Sequence, residues 1–571
     1  MNFISRLQQK VPKGRYILTQ GFIPAGSVKS VCHPSPERTA YYTNYTVLSG
    51  LCSHSRPSHR VKTPVLGFAV PSGLSVLLIV LLFASCNDFL DTPPDKRAVL
   101  DDDKKIAQIL VSAYPAMLPV MAFELMSDNV TDNGPQYSDY SNAQLNEQAY
   151  RYEDITEPYW DAPKTTWEAC YSAISSANLA LEAIDQMDSP KSLNGSKAEA
   201  LLCRAFGHFV LVNTFCIAYN PVSSDADMGI PYIEKPETTV DAKHERGTVA
   251  SVYEKIDRDI EQALPLHEDN FREYAAYHFN RKAAFAFAAR FNLFYGKWDK
   301  AAEYALVALG DDPGSMFRDY VALSKLPETE DIKNAYCNGN YSCNFLIIPQ
   351  SGTLWGRSYR ANRRYAHNRD KADETFWQYF PWNNIVSGLT SVWGSDQNVW
   401  YPKMSEFFEV TNPTAGIGYP HTVAVAFTVE ETLACRAEAY VMMGEFARAV
   451  ADLNIFYEQW GGQQFTQQQI TNWYSTVRNR SPYVEMASRF NIQSGVQENL
   501  VRAVLAARRF ENVHTGQRWL DVKRHGITVN HPIMRSQTEI DKTIVIGAYD
   551  KLTAIQLPAE VISAGLSPNP R

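Results

Sequence analysis

Two stretches of this sequence follow one template, and that template permits few folds. Residues 289–301 (ARFNLFYGKWDKA) and 437–449 (AEAYVMMGEFARA) each place Ala, then Gly seven residues on, an aromatic two later and Ala three after that. Glycine breaks a helix, the aromatic re-enters the core, and the small alanine lets two helices approach closely. This is the logic of a tetratricopeptide helix hairpin, a unit that buries its apolar face only by stacking on neighbours.

Helical periodicity recurs around the hairpins. Helices are predicted at about 103–118, 163–187, 196–217, 248–265, 427–458, 466–478 and 494–512. In the second of these, Trp167, Tyr171, Ile174, Ala177, Asn178 and Leu181 recur every three or four residues and mark one buried face. Asp101, Asp102 and Asp103 set negative charge at the start of the first helix, where the helix dipole favours it. The pattern dissolves at about 123–160 and 310–425. The second insertion is rich in Gly, Asn, Pro and Tyr and holds Trp355, Trp377, Trp382, Trp393 and Trp400. Long insertions in a helical scaffold are usually functional or disordered, and rings in such number argue against disorder. The fold class is therefore mainly α, with tetratricopeptide-like helix pairs interrupted by two large irregular, loop-rich insertions.

The front of the chain is a different object. Before Cys86 stand nine Lys and Arg residues and one acidic residue, Glu37; the rest carries 45 basic and 61 acidic residues, a formal charge of −16. So acidic a surface repels phosphate backbones, so nucleic acid is not an expected partner. After Arg60 and Lys62 the sequence turns apolar, 74–84 reads LSVLLIVLLFA, and the run stops at Ser85-Cys86. A basic region, an apolar core and a small-residue cleavage site make a secretory signal. Residues 82–86 (LFASC) resemble a lipobox, in which the cysteine thiol takes a diacylglycerol, and several acyl chains anchor stably. The expected divisions are 1–60, an over-called N-terminal extension; 61–85, a lipoprotein signal peptide; 86–102, the lipidated Cys86 and its tether; and 103–571, one helical domain.

Cysteine usage adds little. Cys170, Cys203, Cys216 and Cys435 sit singly in helical patterns as core thiols, while Cys337 and Cys343 flank a short loop and could pair in an oxidising compartment. No CxxC accompanies a His cluster, so no metal and no cofactor is expected.

The pieces add up in order to a family. They run from SCNDFLDTPP at 85–94 through Trp167, Tyr171, Ala177 and Asn178. AEALLCRAF at 198–206, GIPY at 229–232 and RGTV at 246–249 precede the two hairpins. The sharpest piece is GQRWLDVKRHG at 516–526, with Arg508, Arg509 and Glu511 before it and IQLPAE at 555–560 after it. In these motifs the chain resembles the SusD/RagB family of lipid-anchored nutrient-binding outer-membrane proteins. Read from the residues alone, Arg518, Asp521, Lys523 and Arg524 form a buried ion network with Trp519 as its apolar lid, a structural role.

The resemblance implies helix pairs forming a right-handed superhelical scaffold with a large irregular, loop-rich half, capture of an oligosaccharide at the cell surface and its delivery to a SusC-like, TonB-dependent transporter. Peptide capture is the alternative within the family. No bond is made or broken, so the expected protein is not an enzyme; a surface glycoside hydrolase or a generic tetratricopeptide scaffold are the rival readings. Sugars lay an apolar face on an aromatic ring while short polar side chains read the hydroxyls. The candidate ligand contacts are Asp128, Asn129, Tyr137 and Tyr140 in the first insertion. In the second they are Trp355, Arg357, Tyr359, Trp382, Asn383 and Trp393.

Overall fold

Both templated hairpins form, and they close in the same way. Gly296 and Gly444 sit at the ends of their first helices in the left-handed region, with φ of 78° and 79°. The next residue's N–H reaches back into the helix, from Lys297 to Asn292 O at 2.9 Å and from Glu445 to Tyr440 O at 2.8 Å. Glycine occupies these positions because an L side chain is strained there. Ala301 and Ala449 are fully buried where the paired helices meet.

The structure is a computed structural model describing residues 100, 102–139, 143–158, 160–237, 243–268, 272, 274–353, 363–377, 388–394, 397–404, 406–476 and 485–571. All of them lie in the compact unit 97–571. The chain is mainly helical. In chain order its principal helices are α1 (Asp103–Leu110), α2 (Val120–Met126), α3 (Ala143–Tyr150), α4 (Pro163–Gln186), α5 (Asn194–Phe215) and α6 (Val249–Ala263). The first hairpin is α7 (Arg281–Tyr295) with α8 (Trp298–Leu309), and the second is α9 (Val429–Met443) with α10 (Phe446–Gln459). The series closes with α11 (Gln467–Thr476), α12 (Val496–Asn512) and α13 (Gln517–His525). Successive helices pack on one another, α4 on α5, α5 on α6, α7 on α8, α8 on α9 and α9 on α10, and α12 then closes on both α9 and α11. That serial packing makes the scaffold.

The first helix is shorter than its periodicity predicts. It ends at Leu110 and continues only as a 3₁₀ turn at Val111–Ala113. Pro115 explains the stop, because the residue before a proline is driven from the helical region, and Tyr114 is extended. The expected irregular insertions also hold regular structure. An antiparallel sheet forms from β1 (Asn344–Ser351), β2 (Glu406–Asn412) and β3 (Ile417–Thr428), with β3 in the centre. A short apolar run such as VAVAF at 423–427 fits a strand or a helix entry equally well by sequence, and tertiary pairing decides it. A hairpin of β4 (Val529–Met534) and β5 (Ile540–Ile546) follows α13.

The helical scaffold is locked by buried charges as well as by rings. Arg508 Nε donates to both Asp521 oxygens at 3.1 Å, and Arg524 donates to both Glu438 oxygens at 2.9 and 3.0 Å and to Asp521 Oδ1 at 3.1 Å. His525 Nε2 lies 2.9 Å from Glu438 Oε1. Burial pushes the Glu438 carboxyl up, but Arg524 and His525 outweigh it and hold it well below the usual carboxylate range. Trp519 is fully buried beside Tyr152, with ring centroids 5.9 Å apart. Two members of the segment act elsewhere than in this network. Lys523 Nζ caps the end of α5 by donating to the carbonyls of Asn213 and Cys216, and Arg518 reaches into the first insertion.

Cys337 and Cys343 are buried thiols not joined by a disulfide: Cys337 donates to the Lys403 carbonyl and Cys343 to Asn344 Oδ1. Among the described residues no helix is long and apolar enough to cross a membrane.

Candidate functional site

The two insertions meet, and short polar side chains hold them together. Thr131–Asp132 pairs antiparallel with Tyr365–Ala366. Beside that bridge, Asn133 Nδ2 donates to the carbonyls of Arg363 at 2.6 Å and Gln397 at 2.8 Å, while Asn133 Oδ1 accepts from Asn368 at 3.0 Å. Asp132 accepts from Gly134 N, Arg364 Nε and Met534 N, which adds β4 to the junction. Asp139 Oδ1 receives the N–H groups of Arg363 and Arg364 at 2.8 and 3.0 Å, and its other oxygen receives Asn146 Nδ2 at 2.7 Å. Burial nonetheless leaves its carboxyl above the usual range. Each carboxylate of this junction is engaged by a cation or a backbone N–H, so the frame is stiff.

Tyr137, one of the predicted contacts, is half-buried here. Its hydroxyl accepts from Gln397 Nε2 at 3.0 Å, which ties the first insertion to the strand pair Ser391–Trp393 and Asn398–Trp400. The backbone of Trp393 lies in that pair, opposite Asn398. The side chain of Trp393, and Tyr140, Trp355, Arg357, Tyr359, Trp382, Asn383 and Cys86, lie outside the described residues. What is described is where their segments enter and leave. Residues 140–142 follow Asp139, and residues 354–362 lead into Arg363, so Tyr140 on one side and Trp355, Arg357 and Tyr359 on the other belong to segments whose neighbouring residues are hydrogen-bonded to each other.

Asp128 and Asn129, predicted to read sugar hydroxyls, are instead built into the scaffold. Asp128 forms a two-point ion pair with Arg518, at 2.8 and 2.9 Å, and lies 3.7 Å from Arg509. Burial pushes its carboxyl up, but Arg509 and Arg518 outweigh that and hold it well below the usual range. Asn129 is fully buried, donating to Glu124 Oε1 at 3.0 Å and accepting from Arg509 Nε at 2.8 Å. Asn129 is closed to solvent and the Asp128 carboxylate is directed at two guanidiniums, so both side chains tie the first insertion to α12 and α13. Arg509 also donates to Glu374 at 3.0 Å, so it links both insertions to α12.

One exposed ring escaped the sequence reading. Trp160, 47% exposed, stands at the end of the first insertion just before α4. Its ring lies over Gly352, where a Cβ would come within 3.0 Å of Cζ3 and 3.2 Å of the Pro420 carbonyl. Glycine there lets the indole lie close to the backbone. Beside it Thr353 donates to the buried Asp161. Gly352 and Thr353 precede residue 354, so Trp160 borders one end of that segment as Asp139 borders the other. The available signal was composition: an aromatic in an insertion, two residues after Pro158. Trp377, half-buried, has the Arg369 guanidinium 5.6 Å from its ring centre and precedes residue 378. Among the described residues no cluster of His, Cys, Asp and Glu is placed to hold a metal ion.

Comparison with known proteins gives a consistent result. Residues 88–293 match a SusD-like family described as "Starch-binding associating with outer membrane". No curated protein matches the sequence significantly. Among solved structures, a SusD superfamily protein of Bacteroides thetaiotaomicron is similar with a TM-score of 0.57 at 18% identity, over 82% of this chain and 98% of that one. A putative sugar binding protein of Bacteroides vulgatus gives 0.58 at 18% identity, over 83% and 99%. A SusD-like carbohydrate binding protein of the same species gives 0.55 at 16%, over 81% and 96%. At such identities the likeness concerns the fold.

Proposed function

This chain is SusD-like, in sequence over residues 88–293 and in fold over its described residues, and from that premise we propose that it binds carbohydrate at the outer membrane and makes or breaks no bond. It captures oligosaccharides on the loop-rich face and hands them to a SusC-like, TonB-dependent transporter, staying beside that partner through lipids on Cys86. The observation that carries the reading is the exposed Trp160 ring, bordering the hydrogen-bonded junction of the two insertions within the stretch that matches a starch-binding family. An aromatic face takes the apolar side of a pyranose without any change in charge, and a stiff frame limits the ordering cost of binding. The pairing of Asp128, Asp132 and Glu374 with arginines supports binding over hydrolysis, since a glycosidase needs one carboxyl held as acid and a second held as base or nucleophile.

Calorimetric titration with starch-derived and other oligosaccharides tests this. Trp160→Ala should weaken the bound glycan by tenfold or more, about 1.4 kcal/mol. Unchanged affinity would remove Trp160 from the site, and no saturable binding to any glycan would remove the function.

A further inference from the structure

The three-stranded sheet carries an exposed apolar strip that begins at Trp160. Strand β1 ends at Ser351, opposite His421, so β2 and the start of β3 continue past it as a two-stranded ribbon. Within the ribbon Phe408 pairs with Pro420 and Val410 with Gly418. Antiparallel partners point to the same face, as do residues two apart in one strand, so these four share one face. A Cβ on Gly352, which follows β1, would lie 3.4 Å from Pro420 Cγ and 3.0 Å from Trp160 Cζ3. The indole and the Pro420 ring therefore meet over Gly352, and the face continues from Trp160 through Pro420 to Phe408.

Both aromatic rings of the strip lie against a glycine. Phe408 does at Gly418 what Trp160 does at Gly352: a Cβ there would come within 2.7 Å of Phe408 Cε1. Glycine leaves room for a ring to lie low across the sheet, the pose that offers a flat apolar surface to a sugar. Phe408 is 57% exposed and Val410 49%. Charge on this face of β2 is confined to Glu406, half-buried at the foot of the ribbon. Single apolar side chains are normal on a surface, but a continuous strip of them marks a contact. The strip is far smaller than the roughly 800 Å² that each partner buries in a stable protein interface, so it suits a narrow, uncharged chain.

Its length narrows the ligand further. Trp160 rests at the end of β1 and Phe408 stands on β2, two strand spacings away, about 10 Å. One sugar ring cannot touch both, whereas a chain of several can. We infer that the sugar-binding surface extends from Trp160 across Pro420 onto Phe408, and that it selects linear oligosaccharides over short ones. This rests on the reading of Trp160 as the first sugar platform.

Calorimetric titration with malto-, cello- and xylo-oligosaccharides, from disaccharide to hexasaccharide, tests it. In a series that binds, the hexasaccharide should bind about fivefold or more tightly than the disaccharide, the worth of one ring contact. Phe408→Ala should erase that preference and Phe408→Tyr should keep it. Tyr419→Ala, on the opposite face of the same ribbon, should leave it within twofold, which separates a lost ring from a disturbed ribbon. Trp160→Ala should weaken every length. A preference absent from the wild type, kept in Phe408→Ala or lost equally in Tyr419→Ala overturns the inference. If Trp160→Ala still weakens binding in that case, the loop-face reading stands without it. Phe408→Ala that leaves every sugar unaffected but frees the chain from its outer-membrane partner makes the strip a protein contact, and also overturns the inference. No binding to any series refutes the loop-face reading and this inference together.

Discussion

Replacing Asp128 by alanine separates a structural role from a ligand-reading one. Arg518 makes its two side-chain hydrogen bonds to Asp128, and Arg509 keeps Asn129, the Asp128 carbonyl and Glu374. The variant therefore strands one guanidinium that is 2% exposed and leaves the other mostly satisfied. Breaking a buried ion pair by removing one partner costs about 3–5 kcal/mol, and because the Asp128 side chain is 14% exposed the lower end applies, about 3 kcal/mol. Unfolding a unit of roughly 475 residues at ~2.1 cal/mol/K each carries an entropy of about 1 kcal/mol/K. The melting temperature should thus fall by about 3 °C in calorimetry at pH 7. Asp128→Ala with Arg518→Met should recover part of that loss, because the stranded charge is then gone. The sign with pH follows from the depressed carboxyl. Its stabilisation is fully present above the unfolded value of about 3.9 and is lost as pH falls toward the folded one, so variant and wild type should converge in acid. An unchanged melting temperature together with weakened glycan binding would refute the structural assignment.

Three further outcomes follow. Lys523 is pushed down to about 7 by burial, while the unfolded chain holds its proton to about 10.4, so folding releases a proton between those values and stability rises with pH across that window. In urea titrations the gap between wild type and Lys523→Met should change by up to about 1.4 kcal/mol per pH unit there, and a constant gap would contradict the burial of a titrating amine. Gly444→Ala meets only backbone strain, about 1 kcal/mol, whereas Gly296→Ala also pushes on Phe490 at 3.0 Å, so the second should melt lower; equal melts would contradict that packing. Cys86→Ala should release the protein from outer-membrane fractions without changing its glycan affinity, and persistent membrane association would remove the lipid anchor.

The scaffold was legible because its signals are local. The seven-residue step from Ala289 to Gly296, repeated from Ala437 to Gly444, encodes helix, turn and close approach within thirteen residues. The periodicity through Trp167 and Leu181 likewise encodes a face. The loop face was not legible to the same degree, because its chemistry is non-local. Asp128 looked like a free carboxylate beside an exposed loop, yet its partner Arg518 lies 390 residues away. Nor does spacing within 516–526 reveal that Arg518 turns to the first insertion while Asp521 and Arg524 turn to α12 and α9. Trp160 was overlooked because its setting is non-local: the backbone it lies against is that of Gly352, far along the chain. Strand β3 was missed because VAVAF acquires its identity only on pairing with β1.

The most direct test of the central claim is to incubate the purified protein with an oligosaccharide that it binds in calorimetry, and to follow the sugar by chromatography over hours. Saturable heat of binding with the sugar recovered intact is the predicted result. Cleavage of the sugar by the protein, or no binding to any oligosaccharide, would contradict it.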